Sequence, residues 1–102
     1  MASKLYITEY ADMAQTVRGG AQIAQQPSIA NQTVDYSGGV ASSAAFNAAT
    51  TYVRIHTDSI CSIAFGTAPT ATTNSKRMPA DSTEYFGVPL NGSYKVSAII
   101  NT

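Results

Sequence analysis

The strongest constraint in this sequence is a strict two-residue alternation across residues 51–66. Thr51, Val53, Ile55 and Thr57 share one phase, and Tyr52, Arg54, His56 and Asp58 share the other. Successive side chains of an extended chain point to opposite faces, so the pattern specifies a strand with one buried and one polar face. Residues 60–66 repeat it, with Cys61, Ile63 and Phe65 in phase. Asp58-Ser59 reads as a turn, and the two segments are expected to pair as a β-hairpin. No helical period competes. The best window, residues 42–50, is Ala-rich, but Asn47 and the β-branched residues after it cut it short.

Other segments carry the same signature. Residues 4–10 set Leu5 and Ile7 against Tyr6, Thr8 and Tyr10, so both faces can be covered. Gly19-Gly20 and Gly38-Gly39 read as turns or hinges. Residues 21–33, with Pro27 in the middle, read as an extended arm or an irregular edge strand, since proline cannot donate to a ladder. Short strands are expected at 33–37, 43–46 and 83–88. The last strand, 94–100, puts Tyr94, Val96, Ala98 and Ile100 on one face, and Asn91-Gly92 before it is a hairpin signal. Residues 67–77 hold no large apolar side chain and read as a surface excursion. About six to eight short strands spaced by about 8–12 residues predict an all-β fold, a small β-sandwich with a jelly roll among its admissible strand orders. The 102 residues suit one domain. Residues 1–40 are expected to supply an N-terminal strand and an extended arm, and residues 41–102 the compact part of the sandwich.

Composition narrows the function. Six basic residues balance six acidic ones, and charged residues are only 12% of the chain. Attraction to nucleic acid or to an anionic membrane is therefore not expected as the main activity, and Lys76-Arg77 is too little for phosphate tracking. No apolar run reaches the length of a membrane helix, and no Lys/Arg-led apolar stretch suggests a secretory signal. Ala, Ser and Thr together make up 39 residues. Small polar residues with few charges suit a surface that is covered in an assembly. Cys61 is the only cysteine, which fits folding in a reducing cytoplasm and rules out an intrachain disulfide.

No catalytic, cofactor or metal site is expected. Cys61 falls in the core phase and His56 in the polar phase, which argues against a nucleophile–base pair. Arg54 and Asp58 read as a surface pair or an intersubunit contact. The acidic residues Glu9, Asp12, Asp35, Asp58, Asp81 and Glu84 are scattered, without the spacing of a Ca²⁺ loop. The six tyrosines offer amphipathic area for an interface or for stacking on a sugar ring. The candidate interface residues are Leu5, Tyr6, Ile7, Tyr10, Ile23, Pro27, Ile29, Tyr52, Arg54, His56, Pro69, Lys76 and Arg77.

Four stretches carry a resemblance. They are Thr51-Tyr52-Val53-Arg54-Ile55-His56-Thr57-Asp58, then residues 61–71 (CSIAFGTAPTA), residues 78–86 (MPADSTEYF) and residues 94–99 (YKVSAI). Together they resemble small virion structural proteins of tailed bacteriophages, in which a VRI-x-TD strand leads into an AFG-x-x-PTAT loop and a PA-x-x-x-EYF strand. The similarity covers about half the chain, more weakly extended by QQPSIANQTVDYS. It implies a non-enzymatic head decoration or cement protein, made in the host cytoplasm and carried on the virion. Such a protein sits as an oligomer over junctions of the major capsid protein, or contacts other virion proteins. Association has a large entropic cost, so its contacts must be extensive. Residues 4–10 and 22–31 are expected to supply them by pairing with a neighbour's sheet edge, with the loop 67–77 as a second contact. The alternatives are a tail, collar or connector component, or a carbohydrate- or host-surface-binding module built on Tyr52, Arg54 and His56.

Overall fold

The computed structural model describes residues 3–16, 19–24, 26–89 and 92–101. Among them the chain forms ten strands and no helix: β1 (Lys4–Tyr10), β2 (Met13–Thr16), β3 (Gly19–Ala24), β4 (Ala30–Asp35), β5 (Ala41–Ser42), β6 (Tyr52–Thr57), β7 (Cys61–Gly66), β8 (Lys76–Met78), β9 (Ser82–Gly87) and β10 (Lys95–Ile100). One antiparallel sheet, here sheet I, runs β4-β1-β6-β9, and a second, sheet II, runs β5-β10-β7-β8. β2 and β3 pair only with each other in the ladder.

The order has a simple logic. β7 pairs with β8, β6 with β9, β5 with β10 and β4 with β1. These partners nest like a long two-stranded ribbon, and successive pairs alternate between the sheets. Contacts of β1 with β6 and of β10 with β7 then close each sheet. Rolling such a ribbon gives the strand order of a jelly roll, with β1 occupying the place beside β4 and β6 that the eighth strand of the roll takes.

The nesting corrects the two predicted hairpins. β6 and β7 alternate as expected, but they lie in different sheets, and Asp58-Ser59 is the crossing between them. β9 and β10 also lie in different sheets, while Asn91 of the predicted turn lies outside the described residues. Each strand has one apolar face, and a crossing sets the two faces against each other, whereas a flat hairpin would leave both on one side of a single sheet. Gly19-Gly20 opens β3 instead of forming a hinge. Residues 43–46 continue alongside β10 through Ser43 N–H to Val96 O (2.8 Å) and Phe46 N–H to Tyr94 O (2.8 Å), but only Ala41–Ser42 forms ladder strand there.

The core lies between the sheets. Leu5, Ile7, Val53 and Ile55 of sheet I meet Cys61, Ile63, Val96 and Ala98 of sheet II, with Met78, Tyr36 and Phe46 at the margins. Full burial of each large aliphatic side chain contributes about 1.5–3 kcal/mol. Phe65 closes one end against Phe86 (ring centroids 5.1 Å apart) and Phe46 (6.5 Å). The two open sides are closed by polar bonds. On one, Lys76 Nζ reaches Glu84 Oε1 at 3.2 Å, linking β8 to β9. On the other, the Gln32 amide bonds both backbone groups of Ala44, and its Nε2 also donates to Glu9 Oε2 at 2.9 Å. Glu9 is buried, and its Oε1 accepts from Asn47 N–H (2.7 Å) and the Thr50 hydroxyl (2.8 Å).

Candidate functional site

The two sheets differ in what covers their outer faces. In sheet II the outward residues Ser62 and Ser97 are fully buried. The loop 67–75 lies over them: Ala71 N–H donates to Ser97 Oγ at 2.9 Å, and Asn101 Nδ2 joins Ser62 Oγ (2.7 Å) to Thr73 O (3.1 Å). Part of the loop expected to be a free excursion is therefore a strap, with Ala71 buried and Pro69 O taking the Ser42 hydroxyl at 3.4 Å.

Among the described residues, sheet I has no such cover over most of its outer face. The register builds it in rows. Thr33, Tyr6, His56 and Thr83 form one; Asn31, Thr8, Arg54 and Tyr85 form the next; Tyr10 and Tyr52 stand side by side in a third. The rings communicate along the face: Tyr10 stacks on Tyr52 at 5.3 Å, Tyr52 lies 6.5 Å from Tyr85, and Tyr6 lies 6.2 Å from His56. Tyr85 is 57% and Tyr6 39% exposed. Tyr10 is covered, its hydroxyl accepting from Gln26 Nε2 at 3.0 Å, and the Tyr52 hydroxyl donates to Asp12 O at 2.9 Å. Arg54 sits mid-face with no carboxylate at ion-pair distance among the described residues; Asp58 lies beside His56 instead (Nε2 to Oδ1 3.8 Å).

The second feature is the β2–β3 hairpin. It leaves sheet I where β1 ends at Tyr10 and returns to β4 through a cis Gln26-Pro27 bond, so it prolongs the β1/β4 pair beyond the sheet. The molecule is correspondingly long, 46 × 26 × 20 Å.

The predicted contact residues divide accordingly. Tyr6, Tyr52, Arg54 and His56 share the outer face of sheet I, and Pro27 and Ile29 are exposed beside the base of the hairpin. Leu5 and Ile7 do not join them. They are 0% and 1% exposed and face sheet II, because β1 is an internal strand and its aliphatic phase fills the core. Residues 4–10 are thus an internal strand, and of residues 22–31 the first three lie in β3 and Ala30-Asn31 in β4, the edge strand of sheet I. The side chain of Ile23, in β3, lies outside those described. Lys76 is paired with Glu84, and Arg77 is exposed on β8, at the far edge of sheet II. Cys61 and His56 do not meet: the thiol is buried in the core, 3.4 Å from Thr57 Oγ1. Tyr85, which is not among the predicted contact residues, stands opposite Arg54 in the register of β6 and β9. The structure also gathers His56, Asp58 and Asp81 at one end of this face, residues that the sequence leaves 23 apart between Asp58 and Asp81.

Two groups show directed electrostatics. The Ser37 hydroxyl and N–H both bond Asp35 Oδ1 (2.6 and 3.0 Å) and hold its carboxyl below the usual value. Burial pushes the Tyr36 phenol up, against the bonds it makes to the Thr57 hydroxyl and to Ser59 O (3.1 Å). Tyr36 thereby pins the β6–β7 crossing to the end of β4.

No protein-family model, curated protein or solved structure matches the chain. No helix among the described residues is long and apolar enough to cross a membrane.

Proposed function

We propose that this chain is a non-enzymatic structural protein of a tailed-bacteriophage virion, a head decoration or cement protein that binds over junctions of the capsid shell. The observation that carries this reading is the β2–β3 hairpin, which extends from a jelly-roll body and pairs with no strand of either larger sheet. A two-stranded hairpin by itself is marginal in water, and a ladder outside both larger sheets suits strand addition by a neighbour. The low charge content, 12% with a net charge of zero, and the sequence resemblance support the same reading. The open face of sheet I adds a second contact: its tyrosines are the residue type enriched at interfaces, and Arg54 offers a fork for a partner's carboxylate.

Light scattering of the purified chain, alone and with capsid shells lacking it, tests the proposal. The expected result is a defined oligomer that binds shells saturably and raises their disruption temperature. A monomer that leaves shells unchanged overturns it. A second reading, a carbohydrate-binding module, draws on Tyr6, Tyr52, Tyr85 and Arg54 sharing one face. Glycan-array binding that disappears in Tyr85→Ala favours that reading.

A further inference from the structure

His56 stands on the outer face of β6, Asp58 in the crossing from β6 to β7, and Asp81 in the turn that leads from β8 into β9. One donor atom from each lies within 4.8 Å of the other two. Their arrangement differs from that of an ordinary surface cluster in two respects. The first is the aim of the imidazole. Nδ1 is engaged by the Thr83 hydroxyl at 2.9 Å, its direct cross-strand neighbour, so the ring is oriented and Nε2 is the atom presented to the carboxylates. Holding one ring nitrogen in this way is how proteins set the tautomer of a metal-ligating histidine. The second is the state of the carboxylates. Neither Asp58 nor Asp81 accepts a hydrogen bond from another described residue, and the nearest approach, His56 Nε2 to Asp58 Oδ1, is 3.8 Å. That is too long for a hydrogen bond. It is close to the roughly 3.4 Å that separates neighbouring ligands of a tetrahedral ion with bonds near 2.0–2.1 Å. One imidazole nitrogen and two carboxylates thus converge at one end of the face with no hydrogen bond between them among the described residues.

We propose that His56, Asp58 and Asp81 form a binding site for a divalent transition-metal ion of the zinc class. One nitrogen and two carboxylate oxygens suit zinc and its neighbours, whereas calcium and magnesium ask for all-oxygen shells with more ligands. Three protein ligands leave one position for water or for a group from a partner. The half-exposed side chains can rotate inward by the ångström or so that closure needs, without disturbing the core. The consequence is structural. Asp58 lies on one passage between the sheets and Asp81 on another, so the ion ties both passages to β6 at one end of the roll. The inference is independent of the virion reading.

The test is titration of the full chain, stripped with a chelator, with zinc chloride by calorimetry near neutral pH. One equivalent is expected to bind, and calcium and magnesium are expected not to compete at equal concentration. His56 is the only histidine, so the ¹⁵N shift of its ring reports the bound atom directly, and Nε2 is the expected ligand. At a hundredfold excess over Kd, zinc raises Tm by about 10 °C or more. His56→Gln and Asp81→Asn each abolish the heat of binding, and Thr83→Val, which removes only the positioning bond, weakens binding by about tenfold. Asp12→Asn, beyond the opposite end of β1, leaves it unchanged. Zinc uptake that persists in the His56→Gln/Asp81→Asn double variant, coordination through Nδ1, or no uptake by a chain shown to be folded by circular dichroism overturns the proposal.

Discussion

The bond network that closes one side of the sandwich makes a directional prediction. Gln32 cannot flip its amide, because Oε1 accepts Ala44 N–H (2.9 Å) and Nε2 donates to Ala44 O (3.3 Å). Its Nε2 therefore always points a donor at Glu9 Oε2. Glu9→Gln keeps Oε1 for Asn47 and Thr50 but sets an amide NH₂ against that donor. Losing a charge-assisted bond and orphaning its partner costs about 2 kcal/mol. Gln32→Glu instead sets two carboxylates face to face, a repulsion of about 4 kcal/mol at 4 Å in a protein-like dielectric. The double variant Glu9→Gln/Gln32→Glu restores one donor opposite one acceptor and loses only the longer bond to Ala44 O, so it sits about 1–2 kcal/mol below the parent. Urea denaturation of the four proteins gives the coupling directly, and about 4 kcal/mol of rescue is expected. A cycle that is additive within about 0.5 kcal/mol would refute the fixed orientation of Gln32 on which the reasoning depends.

Three further outcomes follow from single contacts. Tyr36 has a raised folded-state pKa, so its stabilisation is complete below the ordinary tyrosine value of about 10 and is lost as pH rises toward the folded value; alkaline unfolding monitored by circular dichroism should soften in Tyr36→Phe, at a cost of about 1 kcal/mol at neutral pH. Asp35 has a depressed folded-state pKa, so its contribution is present above the ordinary carboxylate range and is lost as pH falls through the folded value; in Ser37→Ala, the carboxyl ¹³C titration of Asp35 should move up. Ser97→Ala orphans the buried Ala71 N–H and should destabilise by about 1–3 kcal/mol while speeding amide exchange at Ala71, and unchanged exchange there would count against the strap.

Side-chain phase was legible in the sequence, and strand pairing was not. The alternation in β6, β7 and β10 identifies Val53, Ile55, Cys61, Ile63, Val96 and Ala98 as inward-facing, because burial follows the two-residue period, whereas in β1 it separates Leu5 and Ile7 from the tyrosines without telling which face is inward. The same period is compatible with a hairpin or with a crossing at Asp58-Ser59. The choice depends on β8, β9 and β10, which arrive later and compete for the same edges. Glu9 shares the inward phase of Leu5 and Ile7, yet its donors come from residues 32, 47 and 50. A local reading could only count it among scattered acids. His56, Asp58 and Asp81 were hidden for the same reason, since two turns distant in sequence meet only when the ribbon rolls.

What distinguishes the covered outer face from the open one is the size of the residues in the polar phase. Beneath the strap that phase holds Ser62, Ala64 and Ser97, with Ala64 directly opposite Ser97, while the larger Lys95, Ile99 and Arg77 flank them. Small side chains let a backbone approach closely; the Ser97 hydroxyl accepts the strap's Ala71 N–H, and Asn101 bridges Ser62 to the strap's Thr73 O. In sheet I the same phase holds Tyr6, Arg54, His56 and Tyr85, which are too bulky for a strap of alanines and threonines to lie flat against. The chain's own loop therefore seals one face and cannot seal the other. On the proposed reading, the bulky face, together with the hairpin that springs from its edge, is the surface that a virion partner covers.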